Sequence, residues 1–144
     1  MRLRHQIQAW GRSQPSYRHL RTIPGCGPVL ASALTALVVA PEEFRSGRDF
    51  AAARGLVPRQ DGSGGKVRLG PIGKRGNGDL RRLLVNGAMA VLISRRARQD
   101  PWLDRLLSSG PREVAAGALA NELARVAWAV MTRREDFRTG AQAA

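Results

Sequence analysis

The residue types best suited to chemistry lie together between residues 62 and 77. Here Ser63 is flanked by glycines, because Gly62 precedes it and Gly64 and Gly65 follow it. Glycines allow a backbone to approach a ligand closely, and successive free N–H groups in such a loop bind anions well. Fixed positive charge follows, and it is supplied by Lys66, Arg68, Lys74 and Arg75. The segment predicts a phosphate-binding loop, and the alternative is an ordinary glycine-rich surface hairpin with solvated charges.

Ser63 has two chemical roles open to it. A serine hydroxyl attacks phosphorus when a base removes its proton or when positive charge stabilises its alkoxide. The acids nearby in sequence are Asp61 and Asp79, while the flanking cations and N–H groups suit charge that develops on a phosphate. Asn77 either adds to that stabilisation or caps the following helix. From the residues alone, Ser63 is either a phosphoryl-transfer nucleophile or a hydroxyl that donates to a bound phosphate.

A second anion site is predicted at Pro24-Gly25-Cys26-Gly27-Pro28, a tight turn between two helical patterns. Helix, glycine turn and helix in this order are typical of a helix-hairpin-helix. The N–H groups around Gly25 and Gly27, together with the dipole of the second helix, favour a phosphate there. Such contacts position a protein on DNA without reading its sequence. The alternative is an αα-hairpin turn that binds nothing.

The composition indicates a polyanionic partner. The 144 residues carry 24 Lys and Arg against 11 Asp and Glu, which gives a formal net charge of +13. This length suits one domain with a core of its own. The charge balance favours a nucleic-acid partner over a merely basic protein, although a coding bias accounts for the choice of Arg over Lys.

The cysteine and histidine content and the lengths of the apolar runs argue against a disulfide-bonded, metal-binding, membrane-spanning or secreted protein. The single Cys26 excludes an internal disulfide, and His5 and His19 lie too far apart in sequence for a metal-ligand cluster. We therefore expect this chain to bind no metal or cofactor itself. The apolar runs fall short of the ~18 residues that cross a bilayer, and no secretory signal is visible. We expect a bacterial cytoplasmic, nucleoid-associated protein without a membrane partner, with a basic membrane-surface segment at residues 1–20 as a minor alternative.

The spacing of apolar residues predicts the elements that position these motifs. An N-terminal helix carries Leu3, Ile7 and Trp10 on one face and is interrupted at Pro15. Further helices are predicted over residues 29–39, 46–54, 77–98, 101–107 and 112–133. Residues 59–76 are predicted as a loop or hairpin because glycine recurs too often for a stable helix. Val67 and Leu69 suit a short strand pair within it.

The same spacing predicts caps and buried faces. Ser46 is expected to cap helix 46–54, and Asn77 is expected to cap helix 77–98, with Arg81 and Arg82 on its polar side. The residues expected in the core are Phe50, Ala51, Leu80, Leu83, Leu84, Gly87, Val91, Leu119, Leu123, Val126 and Val130. The tryptophans Trp10, Trp102 and Trp128 are also expected to pack in the core.

The predicted fold class is all-α, with a helix-hairpin-helix followed by a Gly-rich basic loop or short hairpin and two long packing helices. Residues 1–15 are interpreted as a basic N-terminal helix or remnant, residues 16–138 as the main domain and residues 139–144 as a frayed tail. The residues expected to contact nucleic acid are Gly25, Gly27, Gly64, Gly65, Lys66, Arg68, Lys74, Arg75, Asn77 and Arg81.

Taken together, the motifs resemble those of one transposase family. The run from Leu20 to Pro28, followed by Ala31, is similar to a Leu-x-x-Ile-Pro-Gly-x-Gly motif of that family. The resemblance continues in order through 44–49, 55–60, 63–66, Gly70, 74–77 and 80–84. It covers residues 16–135 and is specific as a joint pattern. The sequence thus resembles the C-terminal transposase domain of the insertion-sequence 110/116/902 family, which is related to Piv-type DNA invertases.

The resemblance implies a role for Ser63 and a set of partners. It implies that Ser63 is the catalytic nucleophile, which attacks a DNA phosphate and forms a covalent phosphoserine link. Family members also carry a RuvC-like domain whose acidic tetrad binds magnesium, and they work with a guide RNA that bridges donor and target DNA. Gly62 and Gly73 differ from the Ser or Thr that is frequent there in the family.

This sequence starts at Met1, just before the helix-hairpin-helix pattern, so we expect a truncated copy that lacks the RuvC-like half. Magnesium is then expected only through a RuvC-like partner. The expected partners are DNA, a guide RNA, and further copies of the chain or a RuvC-like transposase half. The alternative function is a non-catalytic basic helix-hairpin-helix module that binds DNA or RNA.

Overall fold

The fold is all-α. The computed structural model describes residues 2–53 and 71–138, without the side chains of Arg4, Ile7, Arg96 and residues 71–77. The helices are α1 (Arg2–Arg12), α2 (Pro15–Leu20), α3 (Pro28–Leu37), α4 (Gly47–Ala53), α5 (Pro71–Ile93), α6 (Arg96–Gln99), α7 (Pro101–Ser108) and α8 (Arg112–Arg133). A 3₁₀ turn, Pro41–Glu43, precedes α4. The predicted strand pair at Val67 and Leu69 and the predicted frayed tail lie outside the described residues.

Side-chain caps and prolines set several helix starts. The Ser46 hydroxyl accepts a hydrogen bond from the N–H of Asp49 at 3.1 Å, which confirms the predicted cap of α4. The Asp100 carboxylate accepts from the N–H groups of Trp102 and Leu103 at 2.9 and 3.2 Å, and so caps α7. Pro15, Pro28 and Pro101 each stand in a first helical turn, where their missing N–H leaves no bond unmade.

The core forms where α5 and α4 pack against α8. Leu80 and Leu84 of α5 and Phe50 of α4 are fully buried, and Phe50 meets Phe44 edge to face with ring centroids 5.2 Å apart. The buried face of α8 contains many small side chains, which allow its neighbours to approach closely. Among the described residues, α8 has the length and composition of a membrane-spanning helix, but most of its apolar residues are buried inside this core.

The predicted start and end of α5 were wrong. The helix begins at Pro71, six residues before Asn77, so Asn77 lies inside the helix and not at its N-cap. Residues 71–76, predicted as loop, are therefore helical despite their glycines, because propensity is a weak prior that a proline start and the continuing helix override. The helix ends at Ile93, where Ser94 turns back to the carbonyl of Val91, and α6 restarts at Arg96.

Only one of the three tryptophans packs against the core, whereas all three were expected to do so. Trp128 packs against the core and donates its indole N–H to the carbonyl oxygen of Pro41 at 2.8 Å. Trp10 and Trp102 are 43% and 40% exposed, so the expectation that they pack in the core was wrong. An indole that shares a helix face with charged residues stays partly solvated when no neighbouring helix covers that face.

Candidate nucleic-acid interface

The turn between α2 and α3 is built into the core from one side. Ile23 and Cys26 are buried, and the N–H of Cys26 donates to the carbonyl of Ile23 at 3.0 Å. The C-terminal segment braces α2 beside this turn, because Asp136 lies 2.8 Å from His19 and the Phe137 N–H donates to the Thr22 hydroxyl at 2.8 Å. The turn is therefore held before any ligand binds.

Gly25 and Gly87 allow this turn to touch α5 backbone to backbone. Gly25 has a φ of +92°, a conformation that other residues rarely adopt. A methyl group added to Gly25 would lie 2.9 Å from Cγ2 of Val91 and 3.0 Å from the carbonyl oxygen of Gly87. A methyl group added to Gly87 would overlap the carbonyl oxygen of Gly25. The geometry thus gives Gly25 a packing role; sequence reasoning saw Gly87 only as part of a stripe and missed this pairing.

Gly27, the second predicted contact in the turn, has a different environment. It is the N-cap of α3 in an extended conformation, and a methyl group added to it would meet nothing within 4 Å. Its carbonyl accepts from the N–H of Ala31 at 2.9 Å. Within the described residues, the N–H groups of Val29 and Leu30 have no hydrogen-bond acceptor, as is usual in the first turn of a helix. This side of the turn has room for a ligand.

Charge at the turn comes mainly from Arg21. Its Nη1 lies 3.4 Å from the carbonyl oxygen of Cys26, so the guanidinium stands at the end of the turn. Burial raises the pKa of the Cys26 thiol to about 12, although the nearby Arg21 lowers it in part. Cys26 is therefore a packing residue and a poor nucleophile at neutral pH.

The other predicted contacts fall on and before α5. Lys74, Arg75 and Asn77 lie in the first turns of the helix, and nothing is described of their side chains. Arg81 is exposed, and the neighbouring Arg82 lies 3.9 Å from Asp79. The candidate nucleophile, Ser63, and the contacts Gly64, Gly65, Lys66 and Arg68 lie outside the described residues.

The fold nevertheless fixes both ends of the segment that contains Ser63. The segment follows α4, which ends at Ala53, and precedes α5, which begins at Pro71. Both helices pack on α8. The turn at Gly25 touches α5 at Gly87, and Lys74 is about 20 Å further toward the start of that helix at 1.5 Å per residue. One helix, α5, thus runs from the predicted hairpin site at Gly87 to the basic residues Lys74 and Arg75, which we call the basic segment.

Carboxylates and histidines do not form a metal site in the described ranges. Across residues 2–53 and 71–138, no three His, Cys, Asp or Glu side chains gather in a way that could hold a metal ion. His19 instead contacts Asp136, and Asp100 caps α7. These residues therefore do not fit a bound magnesium.

Comparison with known proteins shows that this sequence is similar to transposases. The model of the family described as "Transposase IS116/IS110/IS902 family" matches residues 17–103. The chain is 44% identical over 142 residues to the "Probable family 20 transposase" of Pseudomonas aeruginosa, covering 96% of this chain and 42% of that protein.

Two further relatives are named as transposases of insertion sequences. The transposase for insertion sequence element IS1328 of Yersinia enterocolitica is 44% identical over 123 residues, covering 83% of this chain and 37% of the relative. The transposase for insertion sequence element IS1111A of Coxiella burnetii is 37% identical over 139 residues, covering 94% of this chain and 38% of the relative. The chain thus spans about two fifths of the length of these relatives.

Proposed function

This chain belongs to the IS116/IS110/IS902 transposase family, and on that premise we propose that it binds DNA and breaks and rejoins strands during insertion-sequence transposition, with Ser63 as the nucleophile. The observation that carries the proposal is the family match over residues 17–103, a range that includes both the α2–α3 turn and Ser63. The similarity to curated transposases extends over nearly the whole chain and supports it further.

The proposed step is a phosphoryl transfer. The Ser63 oxygen attacks the phosphorus of a DNA phosphodiester, a new O–P bond forms, and the bond from phosphorus to the leaving sugar oxygen breaks. The serine proton passes to a base, and the departing oxygen takes up a proton as a free hydroxyl. A hydroxyl of the joining strand then attacks the phosphoserine, which reforms a phosphodiester and releases Ser63. Positive charge nearby stabilises the phosphorane oxygens, and Lys66, Arg68, Lys74 and Arg75 are the residues we assign to this task.

We assign the base to a carboxylate of a RuvC-like partner, whether a separate chain or a further domain. The described residues do not fit a magnesium site, so we limit this chain's own part in the step to the serine oxygen and the positive charge around it. A guide RNA and further copies of the chain are the other partners that we propose.

The α2–α3 turn is proposed to hold the DNA in position. Three features of the turn support this: the space at Gly27, the N–H groups of Val29 and Leu30, which have no acceptor among the described residues, and the cation of Arg21. The start of a helix in this arrangement favours a phosphate oxygen. Since a phosphate contact carries no base information, the turn would fix where a duplex lies without selecting its sequence.

A covalent-trapping experiment tests the nucleophile. The substrate is a nicked suicide duplex from which the leaving strand dissociates after cleavage, mixed with the chain and a RuvC-like transposase half with magnesium. The parent chain should give a protein–DNA adduct that resists denaturation, and Ser63→Ala should give none. Ser13→Ala is the matched control, because its exposed hydroxyl donates within the chain to Trp10 and is remote in sequence from the loop.

The outcomes separate catalysis from binding. An adduct that persists in Ser63→Ala would show that another residue is the nucleophile. Retarded DNA migration without any adduct, in the parent as in the variant, would instead favour the non-catalytic binding module.

A further inference from the structure

A cluster of exposed arginines lies at the far end of α5, where the chain bends through α6 into α7. Arg95, Arg98 and Arg105 are exposed there, and we name these three residues the elbow cluster. Among the described residues, the ion pairs join His19, Arg45, Arg82 and Arg125 to carboxylates, and none of them includes an elbow arginine. Three solvated guanidinium groups without a carboxylate partner suit a polyanion.

The acids near the elbow cluster compensate only part of its charge. Asp100 and Asp104 are the acids between residues 95 and 105, where the arginines are 95, 96, 98 and 105. The Asp100 carboxylate accepts hydrogen bonds from the N–H groups of Trp102 and Leu103, so it caps a helix. Asp104 is exposed and forms none of the ion pairs in the described residues. Trp102, three positions before Arg105 on α7, also leaves part of its indole in solvent.

A ridge of exposed residues runs along α5 from Arg82 toward the elbow cluster. Arg82, Asn86, Ala90 and Ile93 recur at spacings of four and three, which places them in one line along the helix, and all are exposed. Between Arg82 and the elbow this line carries no acid, and Asp79 before it faces Arg82. A phosphate backbone that lies along α5 would therefore meet no repelling charge on this ridge.

The length of α5 matches the repeat of a duplex. From Pro71 to Ile93, its first and last residues, the helix rises by about 33 Å at 1.5 Å per residue. The backbone of B-form DNA returns to the same face about every 34 Å. Positive charge at both ends of the helix is thus spaced to meet successive turns of one duplex.

We propose that the elbow cluster is a second nucleic-acid contact, which binds the phosphate backbone of a duplex lying along the exposed ridge of α5. The proposal rests on the proposed function for its partner, since the duplex is the DNA held at the basic segment. It adds a surface about one helical turn of DNA away from the start of α5.

Salt-dependent binding to a fluorescein-labelled 20-base-pair duplex of mixed sequence tests this surface. We compare the parent chain with Arg95→Gln/Arg98→Gln/Arg105→Gln. The matched control is Arg2→Gln/Arg12→Gln/Arg133→Gln, which removes the same charge from exposed positions on α1 and α8 that form no ion pairs in the described residues. The variant Arg95→Lys/Arg98→Lys/Arg105→Lys keeps the positive charge and checks that any loss of binding comes from the loss of that charge.

Each released phosphate contact should flatten the slope of log K against log salt by about 0.9. We expect the elbow Gln variant to flatten it by about 2 to 3 and to weaken binding about tenfold or more at low salt, while the control changes affinity by about twofold or less. The Arg95→Lys/Arg98→Lys/Arg105→Lys variant should retain most of the parent slope. Circular dichroism and the thermal midpoint, both unchanged from the parent, would exclude unfolding.

Equal losses in the elbow and control variants would overturn the proposal, because net charge alone would then explain binding. An unchanged slope in the elbow variant would overturn it as well. If that variant binds like the parent and Ser63 still forms its adduct, only the elbow surface is wrong. If the parent chain binds no duplex at any salt concentration, the proposed function fails together with the surface.

Discussion

The inner and outer sides of the α2–α3 turn use the same residue type for different physical reasons. On the inner side, Gly25 takes a positive φ and lies against the backbone of Gly87 in α5. On the outer side, Gly27 is extended and has open space where a side chain would be. The motif thus combines a glycine that the fold needs with one that the fold leaves free. A glycine motif can therefore serve stability at one position and leave open space at another, and substitutions can test the two positions separately.

The largest effect on the inner side is expected for Gly87→Ala. Its methyl group would overlap the carbonyl oxygen of Gly25, and because both partners are backbone, neither can move aside by a rotamer change. We expect the free energy of unfolding to fall by about 3 kcal/mol, as for a severe overpacking substitution. Urea denaturation followed by circular dichroism measures it.

Gly117→Ala is the matched control, since Gly117 also lies inside a long helix and a methyl group there meets nothing within 4 Å. That change should be neutral or should stabilise by about 0.5–1 kcal/mol. Equal destabilisation by the two substitutions would show that the contact between the turn and α5 is not what matters.

A smaller effect should separate the two glycines of the turn itself. Gly25→Ala must hold an L-residue at a positive φ and place its methyl group against Val91 and Gly87, so we expect a loss of about 2 kcal/mol. Gly27→Ala fits an extended backbone in open space, so stability should change by about 0.5 kcal/mol or less.

If Gly27 faces a phosphate, as proposed, the same methyl group should weaken DNA binding in this well-folded variant. Melting curves and duplex titrations of both variants measure these effects. A larger loss of stability in Gly27→Ala than in Gly25→Ala would contradict the placement of Gly25 on the inner side and Gly27 on the outer side of the turn.

The smallest effect concerns the thiol of Cys26 and depends on pH. Its pKa is raised from 9.0 to about 12 in the native chain, so between these values the unfolded chain releases a proton that the native chain retains. Stability should therefore fall as the pH rises above 9.0, by about 1 kcal/mol at about pH 10. Comparison of the stability of the parent chain with that of Cys26→Ala at neutral and at alkaline pH isolates this contribution. A parallel decline in both proteins would mean that the inner side of the turn does not desolvate the thiol.

Local signals explain which parts of the fold the sequence could predict. The end residues of α8, Arg112 and Arg133, follow from a sustained apolar stripe, and the confirmed burial of Phe50 and Ala51 follows from a capped short helix. The start of α5 was misplaced because local glycine content was weighed above the reach of a long packed helix. The contact of Gly25 with Gly87 was missed because a pairing between residues so distant in sequence leaves no local pattern.

In the candidate site, too, features with a local sequence signal were predicted and features that depend on tertiary contacts were not. The turn at residues 24–28 was located from its prolines and glycines, but the sequence did not indicate that Gly25 faces inward and Gly27 outward. The sign of φ and the identity of a tertiary neighbour depend on how α5 passes the turn. The role of Ser63 stays a prediction, because its chemistry depends on partners and on a segment outside the described residues.

The contact between Gly25 and Gly87 also has a mechanical consequence. Because backbone rests on backbone, no flexible side chain lies between the turn and α5 to absorb a displacement. A force applied to α5, such as torque from a bending duplex, would then move the turn with it as one rigid body. The distance along α5 from the contact at Gly87 to Lys74, about 20 Å, would therefore stay constant whichever duplex the proposed function brings to this helix.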